Sequence, residues 1–268
     1  LISTLKKRSD VLYAEPNYRV KVQSVTNDPY SDYQWSMQSG EATPNVSRQW
    51  ETGTTGSDKI VAVVDTGVDY THPDLQDNMW VKTHYPTLKG IYGIDFAEGD
   101  ADPMDDNGHG THRAGISGAV GNNDVGISGV NQDIKIMALK YAGEDGSGSY
   151  GAAIAAYEYI DRALDLGEPV VAINLSFGNQ GEYDGAYEIL TELVNVVGEK
   201  GAITVASAGN ASSDNDAAPT YPANLDSPYI ISVAAAREDG ALAAFSNYGR
   251  QTVDIAAPGA NILSTVSY

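Results

Sequence analysis

An aspartate, two histidines and an asparagine stand among small residues where few bulky neighbours would crowd a reaction. Asp65 closes the run VAVVD, His109 and His112 lie three residues apart in DDNGHGTHRAG, and Asn210 closes VASAGN. An imidazole takes a proton from a hydroxyl and returns it to a leaving group. A buried carboxylate fixes the imidazole tautomer and stabilises its cation. A side-chain amide donates to a developing oxyanion, which lowers a barrier by about 3–4 kcal/mol. Each residue alone has a plainer reading. An aspartate after a strand caps a turn, a histidine in a glycine-rich turn is structural, and an asparagine after glycine makes a turn. His109 and His112 could also share a helix face as metal ligands. The His-Glu-x-x-His pattern is missing, however, and no third nitrogen ligand is evident, which disfavours zinc.

These groups act together only if rigid elements deliver them to one place. Six apolar runs predict strands: Lys59–Asp65, Gly90–Phe96, Asp133–Tyr141, Val170–Phe177, Ala202–Gly209 and Ile230–Ala236. Most are apolar nearly throughout, as strands buried on both faces are. Between them, SYGAAIAAYEYIDRALDLG and YDGAYEILTELVNVVGEKG carry apolar residues at helical spacing and stop at Gly167 and Gly201. The alternation predicts an α/β class, doubly wound, with a mostly parallel sheet, right-handed crossovers and helices on both faces. In such a sheet, ligands gather at the carboxyl ends of the strands. Asp65 and Asn210 follow strands, and His109 leads into an alanine- and glycine-rich helix, so all three should emerge on one edge.

Composition narrows the classes. The 268 residues suffice for one large domain or two small ones, and 42% apolar content with 28 glycines suits a turn-rich globular fold. No apolar run is long enough to span a membrane. Cysteine is absent, which removes disulfides and thiolate chemistry and fits a secreted product. The excess of 36 acids over 16 bases, net −20, repels phosphates and excludes nucleic acid as a partner. It also suits solubility, adaptation to high salt, or acids gathered around cations. The first 24 residues differ from the rest. A basic cluster, LKKR, precedes the extended VLYAEPNYRVKV, and a boundary falls near Ser24 to Asn27, before the proline-marked VTNDPYSDYQW.

VAVVDTGVDYTHPDL, NGHGTHRAG and VASAGN, in that order, resemble the successive signatures of the subtilisin-like serine proteases, the subtilases. GSGSYGAAIAAYEYI, INLSFG, YPANLDSPYIISVAAA and FSNYGRQTVDIAAPGANILST extend the similarity from about Asn27 to the last residue, and the thermitase-like bacterial and archaeal members match best. The resemblance implies a secreted, monomeric serine endopeptidase with polypeptide substrates. Asp65 would orient the imidazole, His109 would be base and then acid, Asn210 would hold the oxyanion, and His112 would be structural. Substrate would lie as an extended strand, between Gly146, Ser147 and Gly148 on one side and Ser176, Phe177 and Gly178 on the other. Ala206, Ser207, Ala208 and Gly209 would line a pocket roomy enough for a large apolar side chain.

The resemblance also implies calcium. Asp95, Asp100 and Asp102 in the acidic loop GIDFAEGDADPMDDNGHG match one site, with Glu98 beside them. A solvated acidic loop is the plainer reading of that run. A second, tighter site would take Asp28, Asp74 and the Asn123 side chain, with the carbonyls of Val120, Val125 and Ile127. Tyr221–Pro222 would be a cis peptide.

Two departures stand out. The family's nucleophile motif, Gly-Thr-Ser-Met-Ala, occurs nowhere in the sequence, and Ser264 and Ser267 lack its context. The expectation is a peptidase domain over residues 25–268, incomplete at its carboxyl end and inactive alone. Residues 1–24 would be the remnant of an inhibitory propeptide that also assists folding. The alternative is a non-catalytic module that keeps the cleft and binds peptide or calcium. The second departure is Arg113, where the family places a small or apolar residue. A buried, unpaired arginine costs several kcal/mol, so either an acid pairs with it or it snorkels to solvent.

Overall fold

The computed structural model describes residues 2–13, 26–38, 40, 43–53, 56–82, 87–181 and 187–267. The extended reading of VLYAEPNYRVKV, from residue 14 on, and the boundary near Ser24 lie outside the described residues. Ahead of them is a short helix, α1 (Ile2–Leu5), and a second, α2 (Val46–Glu51), precedes the sheet. Neither shows enough periodicity to be read from sequence.

Strand β1 (Ile60–Asp65) is β-branched and apolar, and it is almost wholly buried. It sits near the centre of a seven-stranded sheet with β2 (Gly93–Asp95), β3 (Lys135–Lys140), β4 (Val170–Leu175), β6 (Ile203–Ser207), β8 (Ile230–Ala236) and β9 (Ile255–Pro258). The order is β2-β3-β1-β4-β6-β8-β9 and every neighbouring pair is parallel. A two-stranded antiparallel ribbon, β5 (Asn179–Gln180) with β7 (Thr220–Tyr221), lies apart from it. Tyr221–Pro222, next to β7, is cis.

The alternation of side chains across the strands makes two cores. Ile60, Ala62 and Val64 of β1 pack in one core with helices α4 (Tyr150–Asp165) and α5 (Glu188–Glu199). Helix α4 turns Ala153, Ala156, Tyr157, Ile160 and Ala163 inward. The alanines let the helix come close, and the fully buried Tyr157 satisfies its hydroxyl on Thr204 Oγ1 at 2.8 Å. Val63 points the other way, into a second core with Ile136, Ala138 and Ala114 of helix α3 (His109–Gly118). Helices therefore cover both faces, as the alternation predicts. On the α3 side, Ala172, Asn174, Val205 and Val233 are only half-buried.

The chain visits β2 and β3 on one side of β1 and then crosses to β4 on the other. This reversal opens a crevice at the carboxyl ends of β1 and its neighbours. Five of the six expected strands are shorter in the structure, and two of these differences bear on the site. Only Gly93–Asp95 of Gly90–Phe96 is strand, since the backbone turns at Gly90, φ +76°. The run from Val170 leaves the sheet after Leu175, which frees Ser176–Gly178 to border the crevice.

Candidate active site

Asp65 is the last residue of β1 and His109 the first of α3, and the crevice brings these ends together. The Asp65 carboxylate is 3% exposed, and its Oδ1 lies 2.6 Å from His109 Nδ1. The same oxygen accepts the Thr66 N–H at 2.8 Å. A carboxylate only accepts, so in the neutral imidazole Nδ1 carries the proton and Nε2 presents a lone pair. That is the tautomer a general base needs.

Several unforeseen residues hold this contact. Thr66 Oγ1 accepts the Gly110 N–H at 2.9 Å and donates to Asp105 Oδ1 at 2.8 Å. Asp105, buried, also accepts the N–H groups of Asn107, Gly108 and Thr111 and the Thr111 hydroxyl. One carboxylate thus organises the whole turn into α3, where the orphan N–H groups need an acceptor. The signal was present in the sequence as DDNG, an acid ahead of a helix start. Gly110 is required by close approach. A Cβ there would stand 2.0 Å from the Gly67 carbonyl oxygen and 3.1 Å from Asp65 Cβ. Lys140, in register with Asp65 on the neighbouring strand, is 2% exposed. Its ammonium donates to the Thr66 carbonyl at 3.0 Å and pairs with Asp106. It therefore ties the end of β1 to the loop before His109.

Asp65, His109 and Asn210 line one cleft of about 610 Å³. Gly146, Ser147, Gly148, Ser176, Phe177 and Gly178 line the same cleft. Tyr141 stacks on Phe177 with ring centroids 4.1 Å apart, which stiffens the wall between them. Ser207 and Gly209 also face the cleft, whereas Ala206 and Ala208 are buried behind it. Asn210 is exposed on a loop pinned by Asn247, whose Oδ1 accepts the Ala211 N–H at 2.8 Å and whose N–H donates to the Gly209 carbonyl at 2.8 Å.

Arg113 does not meet an acid. Among the described residues no carboxylate pairs with it, and it is half-buried beside a hollow that it shares with His109. One turn along α3 from His109, it shares that residue's face. Its Nη2 donates to His109 Nε2 at 3.1 Å and its Nη1 to His112 Nδ1 at 3.3 Å. Burial, against the favourable charge of Asp65, pushes its guanidinium below the usual arginine range. His112 donates from Nε2 to the Ile262 carbonyl at 3.2 Å. Burial and then the Arg113 charge push His112 below the ordinary imidazole range, so it ties α3 to the chain's later segment as a neutral ring. Ser264 is committed to the His112 carbonyl at 2.6 Å. Ser267 borders a smaller hollow of about 320 Å³ with His109 and Arg113.

The residues expected to hold cations divide into two groups. Asp28 accepts the N–H groups of Asn122 and Asn123 at 3.0 Å each, and the hydroxyls of Thr26 and Ser128. Asp74, fully buried, accepts the Asn123 amide and the Ile127 N–H at 2.9 Å each. Burial, with Asp28 adding to it, pushes the Asp74 carboxyl up to about 6. Two enclosed carboxylates gripping one loop, 120–127, are the arrangement a cation relieves, so Asp28 and Asp74 suit calcium, whereas the Asn123 Oδ1 already accepts the Val125 N–H at 2.9 Å. The acidic loop is different. Asp95 accepts the N–H groups of Ala97 and Glu98, Asp100 that of Asp102, and Asp102 that of Met104 and the Tyr70 hydroxyl. These carboxylates are spent on their own loop and on Tyr70. Among the described residues no three His, Asp or Glu side chains cluster as metal ligands.

Comparison with known proteins points the same way as the geometry. Residues 56–268 match the Peptidase S8 family, the subtilases. A thermophilic serine proteinase of Bacillus sp. strain AK1 is 38% identical over 268 residues, all of this chain and 59% of that protein. Thermitase of Thermoactinomyces vulgaris is 37% identical over 241 residues, 89% of this chain and 75% of thermitase. In structure, a protease from Pseudoalteromonas arctica matches with a TM-score of 0.72 at 26% identity, over 91% of this chain and 80% of that one. The chain therefore spans a little over half of the first relative and three quarters of the second.

Proposed function

The chain belongs to the subtilase family of serine proteases, and on that premise we propose that its cleft serves a secreted endopeptidase using an Asp-His-Ser set. The observation that carries this reading is the 2.6 Å contact of His109 Nδ1 with Asp65, with Asn210 on the same cleft. The serine hydroxyl would give its proton to His109 Nε2 as its oxygen attacks the scissile carbonyl. Asp65 would hold the imidazole and stabilise its cation. The Asn210 amide would donate to the oxyanion. His109 would then pass the proton to the leaving amine, and water would release the acyl group by the same steps. On this reading the serine lies in a Gly-Thr-Ser-Met-Ala segment that the 268 residues do not contain.

Substrate would enter as an extended peptide between Gly146–Gly148 and Ser176–Gly178, making main-chain hydrogen bonds to both. Calcium, when bound through Asp28 and Asp74, would fasten residues 26–38 to the loop at 120–127. For Asp95, Asp100 and Asp102 a calcium role rests on the resemblance alone. Secretion rests on the resemblance. A second reading, a non-catalytic peptide-binding module, is favoured by one observation, the arginine placed on His109 Nε2.

The test is peptide hydrolysis, with a serine-directed phosphonate as a label. The 268-residue chain should neither turn over peptide nor take the label. The chain extended by a family-type serine segment should do both, and His109→Ala should abolish turnover. Turnover by the 268 residues with labelling at Ser267 would relocate the nucleophile, and an inert extended chain would favour the module.

A further inference from the structure

We propose that Arg113 is a competing donor that occupies the working nitrogen of His109, so that the base is released only when the guanidinium is displaced. The inference rests on the reading of His109 as the general base. Asp65 takes Nδ1–H, leaving one lone pair on the ring, at Nε2. Arg113 Nη2 donates into that lone pair at 3.1 Å. A guanidinium is always a donor and never an acceptor, so the contact cannot reverse its sense. It fills the direction from which a hydroxyl would deliver its proton. It also sets a positive charge where a second would form once the ring took that proton. The arrangement is not an ion pair adrift from its acid. The i, i+4 spacing on α3 sets both side chains on one face, bordering the smaller hollow, and His112 Nδ1 accepts the other end of the fork at 3.3 Å. His112 Nε2 is in turn anchored on Ile262. The guanidinium is thus held between two imidazoles, which seat a charge that no carboxylate among the described residues pairs with.

The contact has a direct chemical readout. Diethyl pyrocarbonate acylates an unprotonated imidazole nitrogen with a free lone pair. His109, whose side chain is 40% exposed, is open to the reagent. The 268-residue chain and its Arg113→Met variant, which keeps length and loses every donor, would be treated at neutral pH. Modification of His109 would be followed by peptide mass spectrometry against N-acetylhistidine. The expected result is a rise of about tenfold or more in the variant, the factor for losing a charge-assisted hydrogen bond. An unchanged rate would overturn the proposal. A second measurement needs no variant. Long-range 15N–1H correlation of the histidine rings in the wild-type chain should show Nε2 of His109 shifted from the value of a free pyridine-type nitrogen, with Nδ1 protonated. A free-type Nε2 beside a protonated Nδ1 would sink the Arg113 proposal and spare the general-base reading. A protonated Nε2 with a bare Nδ1 would sink the general-base reading itself.

Discussion

Asp65 and His109 are 44 residues apart in the chain and 2.6 Å apart in the fold, one at the end of a strand and the other at the start of a helix. In the extended, active chain, Asp65→Asn should keep the geometry but favour the wrong tautomer. A fall of about 10⁴ in kcat follows, with KM little changed. His109→Ala should cost as much or more, and the double variant no more than the worse single one, because the groups act as a unit. Steady-state hydrolysis of a chromogenic peptide decides this. Additive losses would mean that the two residues work independently.

Lys140 and Asp106 should respond unequally. Asp106 is 40% exposed on its side chain and Lys140 only 2%. Asp106→Ala leaves a buried ammonium with just the Thr66 carbonyl, at the low end of about 3–5 kcal/mol. Lys140→Met removes the buried charge and lets Asp106 face water, leaving one unpaired carbonyl at about 1–3 kcal/mol. Urea unfolding of both variants reads the difference, and a larger loss for Lys140→Met would refute the assignment of which partner is buried at a cost.

Gly110→Ala tests the close approach of α3 to β1. Its methyl group would collide with the Gly67 carbonyl. Overpacking of this kind costs about 1–3 kcal/mol, and the helix must retreat from Asp65 to relieve it. The melting temperature should fall, and the Nδ1 proton signal of His109 should lose the downfield shift of a hydrogen bond to carboxylate. A variant as stable as wild type, with that signal unmoved, would show that the two backbones do not touch.

Calcium should raise the melting temperature, and a chelator should lower it. A site filled at roughly 100 times its dissociation constant adds about 2.7 kcal/mol. Asp74→Asn should abolish most of the response, whereas Asp100→Asn should spare it, since Asp100 already caps its own loop. Scanning calorimetry at low salt checks both, and identical responses in the two variants would put the cation elsewhere.

The central sheet was legible because strands covered on both faces must be apolar at every position, and IVAVVD, KIMALK and VVAINL are nearly so. Helices α4 and α5 were legible because one face of each is wet. Strand β9 was not. It is four residues long, ends in proline and exposes Ile255 at the sheet edge, so neither burial nor alternation marks it. The site was legible as residue types, and the order of Asp65, His109 and Asn210 placed them on one edge. What sequence could not give was the fine positioning. Thr66 and Lys140 act through contacts between segments distant in the chain, as does Asp105 where it meets Thr66, 39 residues earlier, and ordinary sequence context makes each a solvated or capping residue. Arg113 drew attention as a misfit, but its partner was sought among acids, whereas the fold offers two imidazoles.

The segment at 26–38 grips the molecule at points far along the chain. Gln34 exchanges two hydrogen bonds with the backbone of Ser128, 94 residues later, and Trp35 reaches the Asn261 carbonyl at 3.1 Å. On a ribosome adding about 5–20 residues per second, Gln34 waits roughly 5–20 s before Ser128 exists. Until then its neighbours have nothing to dock on, and Asp28 has no loop to accept from. Among the parts of the peptidase fold, this strap is therefore made early and seated in two stages, its Gln34 contacts once Ser128 emerges and its Trp35 contact only after Asn261.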